Sequence, residues 1–389
     1  MSIPNFFRFA SSELSQDAFI LWLLEWANPN PEYIQADNEL HKAAQAFVRL
    51  LLLPDDSKED LQISSIECQN QDNNIDVLAL IKDINNKQYA VIIEDKTDTT
   101  VHDNQLIRYS KDVKKRYNDY ELHCVYFKTG NESKHSLNKI ESEYKKDKWV
   151  NTHNPIFKMV LRDDILRVLE PCKSSIKNLI FSDFVENLDR IQKWTASYKR
   201  ENKIVNEWGN TAWQGYYMEL ENVLNMGTWC CAQGKPIINK KGNKISPWEF
   251  SLPLLSIEEY DTIQLYLHLE LRNLRIKAKC KSTDYLEHGL KSVMKKIKDN
   301  MIECVQETNL KLEENTSVRK GKDVTLFNIK RLVNGCNKQF IGLNYFYADL
   351  SYVVPQLLML HKRLSITATS LRQESIKKKY NNDHFLFVH

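Results

Sequence analysis

Two runs of aliphatic residues, "IDVLALIK" at 75–82 and "QYAVIIED" at 88–95, stand on either side of the short polar link "DINNK". Each is nearly continuous in Val, Ile, Leu and Ala, as strands buried on both faces are. The link, centred on Asn85, a residue type that tolerates positive φ, is short enough to zip them together as an antiparallel pair. The far end of this hairpin carries Asp76, Glu94, Asp95 and Lys96, where a sheet would otherwise place apolar residues. Asp76 lies nine residues before Asn85 and Glu94 nine after, so the hairpin sets the two carboxylates opposite one another. Alternation along the strand puts Glu94 and Lys96 on one face and Asp95 on the other. Two carboxylates and an ammonium therefore converge at one end of a buried sheet, where charges without partners are costly.

The flanking sequence supplies the layers that bury such a hairpin. Residues 12–26, "SELSQDAFILWLLEW", place Leu14, Ala18, Leu21 and Trp22 at helical spacing behind Ser11 and Ser12 as caps, with Glu13 in the first turn. Residues 38–53 repeat the pattern through Leu40, Ala44, Phe47 and Leu51, after the breakers Pro29 and Pro31. A β-rich segment at 61–69 precedes the hairpin. His102, Asp103 and Asn104 cap a helix running to about residue 117, and "LHCVYF" at 122–127 reads as a fourth strand. The resulting order is αβββαβ.

Beyond residue 130 the loops turn polar, and 163–170 and 176–227 read as mostly helical, with Trp194, Trp208 and Trp213 in packing roles. "TIQLYLHLELRNLRIKAKC" then alternates through Ile263, Leu265, Leu267, Leu269 and Leu271, the pattern of a half-exposed antiparallel hairpin, and helices are expected at 284–308 and 348–364. The expected organisation is an α/β core over 1–165, a helical connector over 166–228 and an α+β domain over 229–389.

Composition narrows the function classes. With 389 residues, 42% of them apolar and 27% charged, the chain exceeds one ordinary core and has the balance of a globular protein. The N-terminus lacks a basic stretch followed by an apolar one, and the longest greasy run, 19–24, is too short for a bilayer, so a cytoplasmic location away from membranes is expected. Eight cysteines without a C-x-x-C spacing suggest reduced thiols rather than a zinc or disulfide framework. "RKGKDV" at 319–324 lacks the upstream glycine and the Ser or Thr of a phosphate-binding loop, so no motor is expected. Lys and Arg counted against Asp and Glu give −8 over 1–130, 0 over 131–270 and +11 over 271–389. The acidic third suits divalent cations and the basic third an anionic polymer. Lys291, Lys295 and Lys298, on one helix face, are the first candidates for nucleic-acid contact, followed by the cluster at 372–379.

Paired carboxylates are the hard-oxygen ligands that Mg²⁺ takes while keeping waters and phosphate oxygens in its other positions. Such an ion acidifies water and neutralises charge on a phosphate undergoing hydrolysis, while Lys96 orients the water or stabilises the same charge. Glu13 can add a ligand and make room for a second ion, and the choice between one ion and two stays open. Asp76, Glu94, Glu13 and Asp95 form the candidate metal set, with Mn²⁺ expected to substitute for Mg²⁺. Asp17, one helical turn from Glu13, reads as a surface residue. Glu67 and His102 are set aside.

"ID" at 75–76 followed by "EDK" at 94–96, on an αβββαβ order, resembles the PD-(D/E)xK nuclease superfamily, with Ile75 where the family has proline. "QLIRY" resembles the Q-x-x-x-Y motif of RecB-type exonucleases through Gln105 and Tyr109. "ELSQDAFILWLLEWA" is similar to the opening helix of a bacterial subgroup in which Glu13 matches an acidic position. The resemblance covers about residues 1–215. It implies a restriction-endonuclease-like core, catalytic roles for Asp76, Glu94, Lys96, Glu13, Gln105 and Tyr109, and hydrolysis of DNA. Without a motor in the chain, cutting or nicking is expected rather than processive digestion, which would need a protein partner. Defence against foreign DNA or repair is the setting the resemblance implies. Two other readings are an RNA nuclease, since nothing here visibly reads a 2′-hydroxyl, and a nucleic-acid-binding or protein-interaction module on a nuclease fold. The latter would show loss of Asp76, Glu94 or Lys96.

Overall fold

The computed structural model describes residues 4–10, 12–55, 57, 61–98, 105–199 and 208–231. Further along it describes 237–238, 244–245, 248–256, 263–270, 273–280, 299, 302, 311–314, 323–331, 358–359 and 361–362. The chain divides into two compact units, 1–194 and 195–389.

The first unit is built on a five-stranded sheet of β1 (Ile63–Asp72), β2 (Ile75–Asp83), β3 (Gln88–Lys96), β4 (Glu121–Lys128) and β5 (Ile156–Leu161), in that spatial order. β1, β2 and β3 run antiparallel, and β3, β4 and β5 run parallel. In the central hairpin Val77 faces Ile93 and Leu80 faces Ala90, a register centred on residue 85 that leads on to Asp76 beside Glu94. The turn itself differs from expectation: Asn86, not Asn85, takes positive φ, at 64°. The Asp83 carboxylate is the reason, because it accepts from the amides of Asn85 and Lys87 at 2.8 Å each and so sets the turn conformation.

Both faces of the sheet are covered, which explains the unbroken apolar runs. On one face α1 (Glu13–Trp26), α3 (Asn38–Leu52), α7 (Arg162–Leu169) and α8 (Leu179–Thr195) bury Val77, Val91, Ile93, Val125 and Phe127. On the other, α4 (Gln105–Arg116), α5 (Lys134–Lys146) and α6 (Lys148–His153) cover Leu78, Leu80, Ile92, Cys124 and Tyr126. Full burial of one such aliphatic side chain contributes roughly 1.5–3 kcal/mol, so this two-sided core dominates the stability of the unit.

Several local expectations need correction. α1 buries Gln16, Asp17, Phe19, Ile20, Leu23 and Leu24, whereas Leu14 and Ala18 are exposed. "AFILWLLEW" is apolar on every side, so spacing alone did not select the face; contact with the sheet did. Ser12 precedes α1 without a side-chain capping bond. Pro31 opens α2 (Pro31–Ala36) rather than merely breaking a helix, with Asn30 as its cap. α5, α6 and β5 fall where polar loops were expected. β5 is a six-residue edge strand with little burial, which gives the alternation no contrast to read. The end of α7 and all of α8, expected in a connector, pack into the first unit's core through Leu166, Phe181 and Phe184. Trp208 and Trp213 are buried as expected, but Trp194 is half exposed, with Arg190 stacked 4.5 Å from its ring.

In the second unit α9 (Asn210–Leu224) accompanies an antiparallel sheet ordered β12 (Lys311–Glu314), β13 (Asp323–Arg331), β11 (Asn273–Cys280), β10 (Ile263–Glu270), β9 (Trp248–Ser256) and β6 (Thr228–Cys231). β7 (Ile237–Ile238) and β8 (Lys244–Ile245) form a separate two-stranded ribbon. The expected hairpin is present, with Glu270 facing Asn273. It is not simply half-exposed, because His268 is buried alongside its neighbours Leu267 and Leu269, and burial depresses its pKa to about 3. The expected helices at 284–308 and 348–364, with Lys291, Lys295 and Lys298 and the cluster at 372–379, lie essentially outside the described residues. Among the described residues no helix is long and apolar enough to cross a membrane, and Cys68, Cys124 and Cys172 are free thiols.

Candidate active site

The strand pleat and the hairpin register bring the acidic residues together at the C-terminal end of β3. Lys96 lies at the centre, its Nζ 2.6 Å from Glu94 Oε1, 3.6 Å from Asp76 Oδ2 and 4.0 Å from Glu13 Oε2. Glu13 arrives from the first turn of α1, where the Thr97 amide donates to its Oε1 at 3.2 Å. The Asp95 amide holds Asp76 Oδ2 at 2.9 Å. The side chains of Glu94 and Lys96 are 1% and 8% exposed, those of Asp76 and Glu13 27% and 31%, so the site has a deep wall and an open rim.

Charge in this cluster does not balance. Three carboxylates surround one ammonium, and Glu94 Oε2 is buried with no hydrogen-bond donor. Burial, then the charge of Asp76, pushes the Glu94 pKa up to about 7 despite the Lys96 ion pair. Burial works against the Lys96 ammonium, but the hydrogen bond and charge of Glu94, with the charges of Asp76 and Glu13, outweigh it and raise its pKa. A divalent cation would relieve both the surplus negative charge and the orphaned oxygen. Among the described residues no three His, Cys, Asp or Glu side chains form a ready-made ligand cage. Asp76 and Glu94, with Glu13 on the open side, instead suit an ion that takes few protein ligands and leaves positions for water and substrate oxygens.

Asp95, included in the candidate metal set, does not join them. Its carboxylate lies on the opposite face of the strand, fully buried, where Gln16 Nε2 donates to its Oδ1. Asp17 is likewise buried rather than on the surface. Burial, followed by the charge of Asp76, raises its pKa to about 6, and the Asp95 pKa stands well above the usual carboxylate range for the same first reason.

Gln105 and Tyr109 lie on α4, which covers the face that carries Glu94 and Lys96. Gln105 Nε2 donates to Tyr109 Oη at 3.4 Å, as does Arg108, whose guanidinium lies 5.1 Å from the tyrosine ring. Glu67 is exposed and outside the cluster, and His102 lies outside the described residues.

Sequence reasoning missed a neighbouring group on β4. Tyr126 and Lys128 stand beside Glu94 and Lys96 in the parallel register. Tyr126 Oη donates to Glu132 Oε2 at 3.3 Å, and Lys128 Nζ lies 3.3 Å from the same oxygen. Burial first, then Glu132 and the more distant charges of Glu94 and Glu13, keep the Tyr126 phenol protonated. A charged residue ending an otherwise apolar parallel strand was the available signal.

A mixed sheet ending in carboxylates gathered about a lysine carries a donor set of the kind that a hard divalent cation takes. Residues 4–200 match the PD-(D/E)XK nuclease superfamily, and the chain belongs to that superfamily. No protein of curated function and no solved structure matched it.

Proposed function

We propose that the protein is a divalent-metal-dependent deoxyribonuclease that cuts within DNA. The observation that carries this reading is the grouping of Glu13, Asp76 and Glu94 within 4.0 Å of Lys96 Nζ at the end of a buried sheet. Asp76 and Glu94, with Glu13 on the open side, would hold a divalent ion such as Mg²⁺, which would supply Lewis acidity and charge neutralisation. The chain's own residues do the rest. The Asp95 amide keeps Asp76 turned toward Glu94, and the low exposure of Glu94 and Lys96 limits water at the deep wall. The Lys96 ammonium, kept protonated by its carboxylate neighbours, stabilises negative charge developing on the phosphate oxygens. Water adds to phosphorus, one bond from phosphorus to a sugar oxygen breaks, and the proton that the water gives up balances the one that the leaving oxygen takes.

Incubating the purified chain with supercoiled, linear and single-stranded DNA and with RNA, in Mg²⁺, Mn²⁺ or EDTA, tests this. The expected result is nicking or linearisation of supercoiled DNA that EDTA blocks. Cleavage confined to RNA would replace DNA as the substrate, and binding without cleavage of any of them would leave a binding module.

The acidic rim repels a polyanion, so the attraction for DNA is assigned to the basic C-terminal third, a reading that rests on the charge of +11 over 271–389. Changing Lys291, Lys295 and Lys298 together to Gln is expected to weaken duplex binding without sequence bias. The slope of log affinity against log salt should flatten by roughly two to three units, at about 0.9 per lost phosphate contact. Binding to labelled duplex in Ca²⁺ at several salt concentrations measures both. A parental slope would make these lysines a solubility feature and favour a protein partner for that region.

A further inference from the structure

The backbone of residues 95–97 holds three of the four groups in the site. The Asp95 amide donates to Asp76, its carbonyl accepts from Lys96 Nζ at 2.8 Å, and the Thr97 amide donates to Glu13. The side chain of Asp95, meanwhile, is gripped from behind the sheet by Gln16 of α1, beside which Asp17 is buried. Gln16 Nε2 donates to Asp95 Oδ1, while Thr129 Oγ1 donates to Gln16 Oε1 at 2.7 Å. Asp17, the next residue of α1, is buried behind the sheet, and, second to burial, its charge helps to raise the Asp95 pKa. Thr129 is itself tied down: its amide donates to Lys96 O at 3.2 Å and its carbonyl accepts from Arg162 at 2.9 Å. Beside it, a Cβ on Gly130 would sit 2.0 Å from Thr97 O, so β4 closes against the same stretch of backbone.

We propose that Gln16 and Asp17 are positioning residues, which hold the 95–97 backbone from the rear of the sheet so that its amides aim Asp76 and Glu13 into the metal site. This rests on the nuclease reading of the front face. A cluster that merely docked α1 on the sheet would affect stability and leave metal affinity alone. Partners of metal ligands, by contrast, typically change metal affinity or activity by about 10- to 100-fold when removed.

The test uses the full chain, with Mn²⁺ alone as probe, read by electron paramagnetic resonance or calorimetry. Amide hydrogen exchange over residues 93–98 is measured in parallel without metal. Gln16→Met and Asp17→Leu are expected to bind Mn²⁺ about 10- to 100-fold more weakly and to exchange faster over this segment. Asp17→Asn, whose N–H can donate to the Asp95 carboxylate, should keep both properties near parental values. Parental Mn²⁺ affinity and exchange in Gln16→Met and Asp17→Leu would overturn the proposal, as would an Asn variant as impaired as the Leu one. Where Asp17→Leu does not fold, Gln16→Met decides alone. If the parent neither binds Mn²⁺ nor cuts nucleic acid, the nuclease reading falls. The exchange data then decide the positioning role by themselves, parental exchange in Gln16→Met overturning it.

Discussion

Alanine at position 94 is expected to lower phosphodiester hydrolysis by about a thousandfold, with Asp76→Ala and Lys96→Ala close behind, at the upper end of what one charge-stabilising group contributes. The three losses should differ in kind. Glu94 is the deep carboxylate, with an oxygen that no donor satisfies, so its removal takes away metal affinity as well as rate. Asp76→Ala should do likewise. Lys96→Ala leaves three carboxylates without their ammonium, so Mn²⁺ binding should be retained while hydrolysis is lost. Glu13, on the rim, should matter less: Glu13→Gln is expected to slow cutting rather than abolish it. Plasmid cleavage together with direct Mn²⁺ binding separates these outcomes. An Asp76→Ala protein that cuts at the parental rate would place the chemistry elsewhere.

In EDTA, Glu94→Gln is expected to be more stable than the parent above neutral pH, an unusual result for loss of a buried ion-pair partner. Glu94 has a folded pKa of about 7 against an ordinary value of 4.5. A carboxyl raised in this way contributes stability that is fully present below its unfolded pKa and is lost as pH climbs through its folded one. At 1.36 kcal/mol per unit this amounts to about 3 kcal/mol between pH 4.5 and 8. Glutamine mimics the protonated form and does not titrate, so the stability difference between variant and parent should be small near pH 4.5 and widen toward pH 8. His123 and His268, whose pKa values are lowered mainly by burial, titrate with the opposite sign in part of this range but cancel in the difference. Mn²⁺ should narrow the gap by stabilising the parent, by about 2.7 kcal/mol at a hundredfold excess over Kd. Urea unfolding across pH with and without Mn²⁺ measures all of this. A variant less stable than the parent at pH 8 in EDTA would show that the Lys96 pair outweighs the burial of Glu94.

The hairpin, its register and the front face of the site were legible in the sequence because each follows from a local rule. Nine residues on either side of Asn85 bring Asp76 to Glu94, and strand alternation places Glu94 with Lys96 and turns Asp95 away. Even a turn whose positive φ falls at Asn86 leaves that register unchanged. The αβββαβ order was legible for the same reason, since helix and strand periods differ. What local rules do not contain is which side of an apolar helix meets the sheet, and there the reading of α1 went astray. Leu14 and Ala18 face outward, while Gln16 and Asp17, polar and ordinarily exposed, are buried against Asp95. No period in the sequence marks them, because the hydrogen-bond partners of Gln16 lie 79 and 113 residues away along the chain. The sequence alone determined the charges at the end of the hairpin. Only tertiary packing decided what stands behind them, because a buried polar residue is tolerated only where the fold brings it a partner.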